Sequence, residues 1–137
     1  MTRVSEGLLP VNEATCKAAV AKILRAEIVP RGGVVYRHED QFTGGIPDLS
    51  ANLDGRTVWA EFKLDRPGKR SLLTVLQKDA LTRLQGLEVH YGLPRVGPLS
   101  VVVRDYRSGE ILANAAGRPA AVHRVVAAAI LDRLEAR

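Results

Sequence analysis

Apolar residues recur along this chain with two different periods, and each change of period marks an element. From Glu13 onward, Cys16, Val20, Ile23 and Leu24 fall at helical spacing. Asn12 precedes them as an N-cap, and Glu13 occupies the first turn, where the helix dipole favours an acid. Pro30, Gly32 and Gly33 stop this helix, residues 34–37 read as a short strand, and residues 38–45 read as a loop. Two strand-like runs, 48–53 and 56–64, then flank Asp54-Gly55, a two-residue hairpin signal. A helix is expected over 74–85, ended by Gly86, and a strand over 99–104. Ser108-Gly109 turns that strand into a partner over 110–113, and Pro119 opens a last helix with Val122, Val125, Val126, Ala129, Ile130 and Leu134 on its apolar side. The order α, β, β-hairpin, α, β-hairpin, α predicts a mixed α/β fold, a central mixed β-sheet flanked by helices. The length of 137 residues suits a single domain, with residues 1–11 as a loose arm.

The hairpin carries the chemistry. A two-residue turn pairs Leu53 with Arg56 and, counting outward, Leu49 with Ala60 and Asp48 with Glu61. Side chains alternate between the faces of a strand. One face therefore carries Leu49, Ala51, Leu53, Val58, Ala60, Phe62 and Leu64, and the other Asp48, Ser50, Asn52, Thr57, Trp59, Glu61 and Lys63. A one-residue slip would mix the two sets. This register sets two carboxylates opposite each other, with Cβ atoms on the order of 5 Å apart, a like-charge pairing that costs roughly 0.2–1 kcal/mol. A shared divalent cation reverses that sign, and Mg²⁺ suits one or two carboxylates because it keeps several waters. Lys63, two residues beyond Glu61 on the same face, would place an ammonium beside the ion. The competing reading is a solvated polar face, in which Lys63 pairs an acid for a few tenths of a kcal/mol.

Composition narrows the function class. The chain is 46% hydrophobic and 26% charged, without a run long enough to span a bilayer and without an apolar export signal at its start. One cysteine, Cys16, excludes an intrachain disulfide and a thiolate metal site. The expected setting is the cytoplasm. A formal net charge of +5 favours a polyanionic partner such as nucleic acid, through phosphate neutralisation and counterion release.

Gly45-Ile46-Pro47-Asp48, a gap of twelve residues, then Glu61-Phe62-Lys63, with Gln77 opening the next helix, resembles the PD-(D/E)xK nuclease signature. The arrangement is similar to the VRR-NUC branch and to archaeal-type Holliday junction resolvases. It spans roughly residues 13–84; residues 88–137 carry no recognised motif. The resemblance implies a restriction-endonuclease-like core in which Asp48 and Glu61 ligate Mg²⁺ or Mn²⁺, the backbone carbonyl of Phe62 completes the shell, and Lys63 assists attack of water on a DNA phosphodiester. It implies a further ligand from the first helix, for which Glu13 fits best and Glu6 and Glu27 less well; a first-turn acid serving the helix dipole is the alternative for Glu13. Gln77 is either part of the site or the reciprocal partner of Thr74 in a capping box. Arg66, Lys69 and Arg70 follow the catalytic strand and are expected on phosphates, with Arg37 and His38 as further DNA contacts, although a loop histidine beside Glu39 and Asp40 is also compatible with plain solvation. Trp59 is either core under the first helix or a base-contacting aromatic. The implied substrate is branched DNA, four-way junctions above all, cut by a homodimer whose interface would be residues 101–103 or the last helix. Flap, nicking or restriction-type cleavage of duplex, and a silent DNA-binding module, are the alternatives.

Overall fold

The structure, a computed structural model, describes residues 10–39 and 44–136. Helix α1 spans Glu13–Ile28 and runs through a 3-10 turn, Val29–Arg31, into strand β1, Val34–Arg37. Strands β2, Leu49–Leu53, and β3, Arg56–Asp65, lead to helix α2, Val75–Leu84. Strands β4, Leu87–Gly92, β5, Leu99–Asp105, and β6, Ile111–Gly117, precede helix α3, Pro119–Glu135. The six strands form one sheet in sequence order. Every neighbouring pair is antiparallel except β3 and β4, which run parallel with α2 as their crossover. The fold is mixed α/β, a mixed sheet flanked by helices, as the hydrophobic periods predict.

Local chemistry accounts for most of these boundaries. Asn12 Oδ1 accepts the Thr15 N–H while Thr15 Oγ1 accepts the Asn12 N–H, a reciprocal cap that starts α1. Asp54 and Gly55 both adopt the left-handed conformation, with φ of 53° and 79°, as a two-residue hairpin with a primed turn demands. The ladder that follows pairs Leu53 with Arg56 and ends at Leu49 and Ala60, the expected register. Pro10 and Val11, expected within a loose arm, are tied down: the Pro10 carbonyl accepts the Thr15 hydroxyl at 2.6 Å and the Val11 carbonyl accepts Arg66 Nη2 at 2.8 Å. The rest of that expected arm, and Asp40 on the loop, lie outside the described residues.

Helices α1 and α3 pack on one face of the sheet and enclose the core. Cys16, Val20, Ala21, Leu24 and Ile28 of α1 and Val122, Val126, Ala127, Ala129, Ile130 and Leu134 of α3 are buried. They meet Leu49, Ala51, Leu53, Val58, Ala60, Phe62 and Leu64, joined by Leu87, Val89 and Tyr91 of β4 and Val101 and Val103 of β5. His123 of α3 is buried among them, its Nδ1 2.9 Å from the Tyr91 hydroxyl. This arrangement corrects the expected dimer surfaces. Val101 and Val103 are spent beneath α3 in a strand flanked by β4 and β6, and the apolar side of α3 is spent on the same core.

Strand β4 is absent from the sequence reading, which closed an element at Gly86 and reopened one only at Leu99. Its alternation is regular, with Leu87, Val89 and Tyr91 buried and Glu88, His90 and Gly92 on the other face. Parallel pairing sets Glu88 beside Glu61 and His90 beside Lys63. Among the described residues only α2 lies on that second face, and Leu81 is its one buried residue. The candidate chemistry therefore occupies the less covered side of the sheet.

Leu24→Ala is expected to cost about 2–5 kcal/mol, because its side chain is fully enclosed between α1 and the sheet. Val75→Ala, at a position 80% exposed, should change stability by less than about 0.5 kcal/mol. Urea denaturation of the two variants checks the contrast.

Candidate active site

The site forms where β2 leaves β3. Asp48 stands one residue before β2, its carbonyl accepting the His38 N–H at 2.8 Å. Beyond the last ladder pair the backbone of β3 has no strand partner on this edge, and Asp48 supplies one: its Oδ2 accepts the Phe62 N–H at 2.9 Å. A strand residue directs its N–H and C=O to the same edge, so the Phe62 carbonyl opens toward Asp48 as well. Lys17 of α1 approaches from the helical side, its Nζ 3.4 Å from Asp48 Oδ1. Gly44 and Gly45 let the incoming loop run against α2; a Cβ on Gly45 would lie 3.2 Å from both the Cβ and the carbonyl oxygen of Leu76.

Glu61 is 3% exposed. Its Oε2 accepts Gln77 Nε2 at 3.0 Å and lies 4.0 Å from Lys63 Nζ, while its Oε1 is buried with no partner among the described residues. Burial, and then the negative charge of Asp48, push its pKa from 4.5 up to about 8. Once deprotonated, Glu61 sets a buried carboxylate oxygen against a second carboxylate, an acceptor surplus that a cation would neutralise. The donor set is all oxygen, from Asp48, Glu61 and the Phe62 carbonyl, and so fits Mg²⁺ or Mn²⁺. Among the described residues no three Asp, Glu, His or Cys side chains converge on one point. The protein thus brings two carboxylates together, which suits an ion that retains water.

The remaining expected residues fall into distinct places. Gln77 closes the capping box, its Oε1 accepting the Thr74 N–H at 2.9 Å, and its Nε2 donates to Glu61. Glu13 lies farther along the same edge of β3, its Oε2 accepting the Leu64 N–H at 3.2 Å and the Ser71 hydroxyl at 2.8 Å. It ties α1 to β3 and does not meet Asp48 and Glu61 at a common point. Arg66 and Lys69 close a tight turn over Pro67 and Gly68, with N–H to carbonyl bonds of 2.8 and 2.9 Å in the two directions. With Arg70 they rim a groove of about 420 Å³ that also touches Glu13 and Ser71. Arg37 shares the Val35 and Leu49 face and so sits on the opposite side of the sheet from Glu61. His38 folds back instead of pointing at Asp48, with Nε2 2.8 Å from Ser50 Oγ and its ring stacked on Trp59. Trp59 is half-buried on the α2 face; the reading that placed it under the first helix is corrected, because α1 packs against Val58 and Ala60 on the other side.

Sequence reasoning missed two features. Lys17 follows Glu13 by four residues and so shares its helix face, a spacing that would have flagged it. The other is a charged trio on the newly found strand and its neighbour. His90 Nδ1 lies 3.4 Å from Glu88 and Nε2 3.0 Å from Asp65. The second contact is off the ring N–H axis, leaving Nε2 without a hydrogen bond, so it acts through charge proximity. The hydrogen bond to Glu88 and, against the effect of burial, the proximity of Asp65 raise the pKa of His90.

The Glu61 carboxyl holds its proton more tightly in the folded state, to about pH 8, than its value of 4.5 unfolded. The stability this group contributes is therefore full below pH 4.5 and lost as pH rises through about 8. In EDTA the parent should lose stability between pH 5 and pH 8 relative to Glu61→Gln, by more than about 1.4 kcal/mol, the equivalent of one pKa unit. Urea titrations of both proteins at the two pH values provide the check, and parallel curves would contradict this account of the carboxyl.

No protein-family model matches the chain, and no curated protein sequence matches it.

Proposed function

We propose that this protein is a Mg²⁺-dependent endonuclease that hydrolyses phosphodiester bonds of DNA, with branched DNA, four-way junctions included, as its substrate class. The observation that carries the reading is the buried Glu61 carboxylate, one oxygen without a partner, held against Asp48 with Lys63 alongside. The family resemblance of the Asp48, Glu61-Phe62-Lys63 and Gln77 pattern supports the same chemistry.

Asp48, Glu61 and the Phe62 carbonyl would hold Mg²⁺, with Mn²⁺ as a substitute. When bound, such an ion supplies Lewis-acid polarisation of a phosphate oxygen and lowers the pKa of coordinated water. Every other contribution comes from the chain itself. Gln77 fixes one oxygen of Glu61 and leaves the other free. Asp48 is oriented by the Phe62 N–H and by Lys17. Lys63, its side chain only 11% exposed, holds an ammonium at the carboxylate pair, where it can orient the attacking water and offset negative charge that grows on the phosphate. Arg66, Lys69 and Arg70 lie on the turn that follows the same strand, placed to meet the flanking backbone phosphates. The net charge of +5 draws DNA to the protein before any of these contacts form. Symmetric cutting of a four-way junction requires two active sites, so this reading carries a homodimer with it, built on surfaces other than the buried Val101–Val103 strand.

Labelled four-way junction, flap and linear duplex, incubated with and without Mg²⁺, test the proposal. Cleavage is expected only with the ion and at least one branched substrate should be preferred. Asp48→Asn and Glu61→Gln should lower the rate by on the order of 10³-fold or more while DNA binding persists. Lys63→Ala should cost about 10²–10³-fold with metal binding retained, and Gln77→Ala about 10–100-fold. Full activity in either acid variant, or binding without cleavage in both Mg²⁺ and Mn²⁺, would overturn it.

A further inference from the structure

One row along the sheet from the two carboxylates lies a run of aromatic rings that the reaction does not use. Tyr36, Ser50 and Trp59 are cross-strand neighbours on β1, β2 and β3, and so project from the α2 face. His38 completes the run. Its ring stacks on Trp59 at 5.3 Å with an interplanar angle of 26° and lies 6.2 Å from Tyr36 at 38°. The hydrogen bond to Ser50 fixes the orientation of the imidazole. Aromatic residues make up only 4% of this chain, yet two of them and a histidine are gathered here. Tyr36 is 60% exposed, whereas Phe62 and Tyr91 are fully buried.

We infer that Tyr36, His38 and Trp59 form a stacking platform for an unpaired nucleobase of the DNA strand whose phosphate lies at Asp48 and Glu61. The inference rests on the nuclease reading and narrows its substrate. Successive positions on one face of a strand are about 7 Å apart, twice the rise per residue. Tyr36 and His38, and Ser50 and Asp48, are separated by that one step, so a base on the rings is adjacent to a phosphate at the carboxylates. A base inside a duplex already stacks on both of its faces and cannot lie on a protein ring without leaving the helix. An unpaired base has a face to offer, and rings accept any base because each has a π-face. The platform carries no carboxylate of its own, while the neighbouring row supplies the phosphate chemistry. A fork or flap, with a single-stranded arm at the branch, satisfies both rows at once; a fully paired duplex satisfies only the second.

Trp59 is the one tryptophan of the chain, so intrinsic fluorescence reports on this platform directly. The protein in EDTA would be titrated with a forked duplex bearing an unpaired arm and with a blunt duplex of equal length, following both fluorescence and the anisotropy of labelled DNA. The fork should quench Trp59 and the blunt duplex should not. Tyr36→Ala should weaken fork binding about tenfold and leave blunt-duplex binding and the unfolding midpoint unchanged; His38→Ala should reduce the quenching. Equal quenching by the two DNAs, an unaltered fork affinity in Tyr36→Ala, or no binding to either DNA would overturn the platform. Failure of the two readings is separable. Cleavage without selective quenching removes the platform alone, and selective quenching without cleavage in Mg²⁺ removes the nuclease reading alone.

Discussion

Two carboxylates held within one another's field, at a point where the sheet has run out of backbone partners, organise everything around this site. Asp48 replaces a missing strand by accepting the Phe62 N–H, and in doing so brings its charge against the buried Glu61. The fold tolerates that repulsion because each acid is partly compensated, Asp48 by Lys17 and Glu61 by Gln77 and Lys63. Compensation stops short of completion at Glu61 Oε1. A buried acceptor without a donor is costly, and the proposed metal site rests on it.

The architecture explains why such a pair can sit near the surface and yet be shielded from water. Helices α1 and α3 take all of the large apolar surface on one face, so the other face needs only the thin cover of α2. That short helix contributes Leu81 to packing and Gln77 to Glu61. The same residue that starts α2 through its capping box therefore also positions the acid, which couples the register of the helix to the geometry of the site. The parallel strand β4 adds Glu88 and His90 beside Glu61 and Lys63, extending a band of charge across the sheet.

Residues on one strand here serve opposite ends in alternation. Val58, Ala60, Phe62 and Leu64 build the core, while Trp59, Glu61 and Lys63 lie on the face that α2 partly covers. The two sets meet at Phe62, whose ring packs inward while its backbone meets Asp48. Glu13 shows the converse case, an acid whose hydrogen bonds to Leu64 and Ser71 make it a fastener between α1 and β3.

The hairpin, its register as far as Leu49 and Ala60, and the nearness of Asp48 to Glu61 were legible from the chain alone, because a two-residue turn with Gly55 is a local constraint and strict alternation of apolar residues leaves one consistent pairing. The capping box of Gln77 was legible for the same reason. Strand β4 was legible in the alternation of Leu87, Val89 and Tyr91 but went unread; what the chain could not disclose was its parallel pairing with β3 across a whole crossover, and with it the placement of Glu88 and His90. Nor could it say which helix covers which face. Trp59, Arg37 and His38 were assigned to faces or to roles that only packing decides, and Glu13 was near the site without joining its acids. Periodicity encodes which residues share a face, since that is a property of one strand; which face is covered and which groups meet across elements depends on non-local pairing, where the free energy comes from burying surfaces contributed by distant parts of the chain.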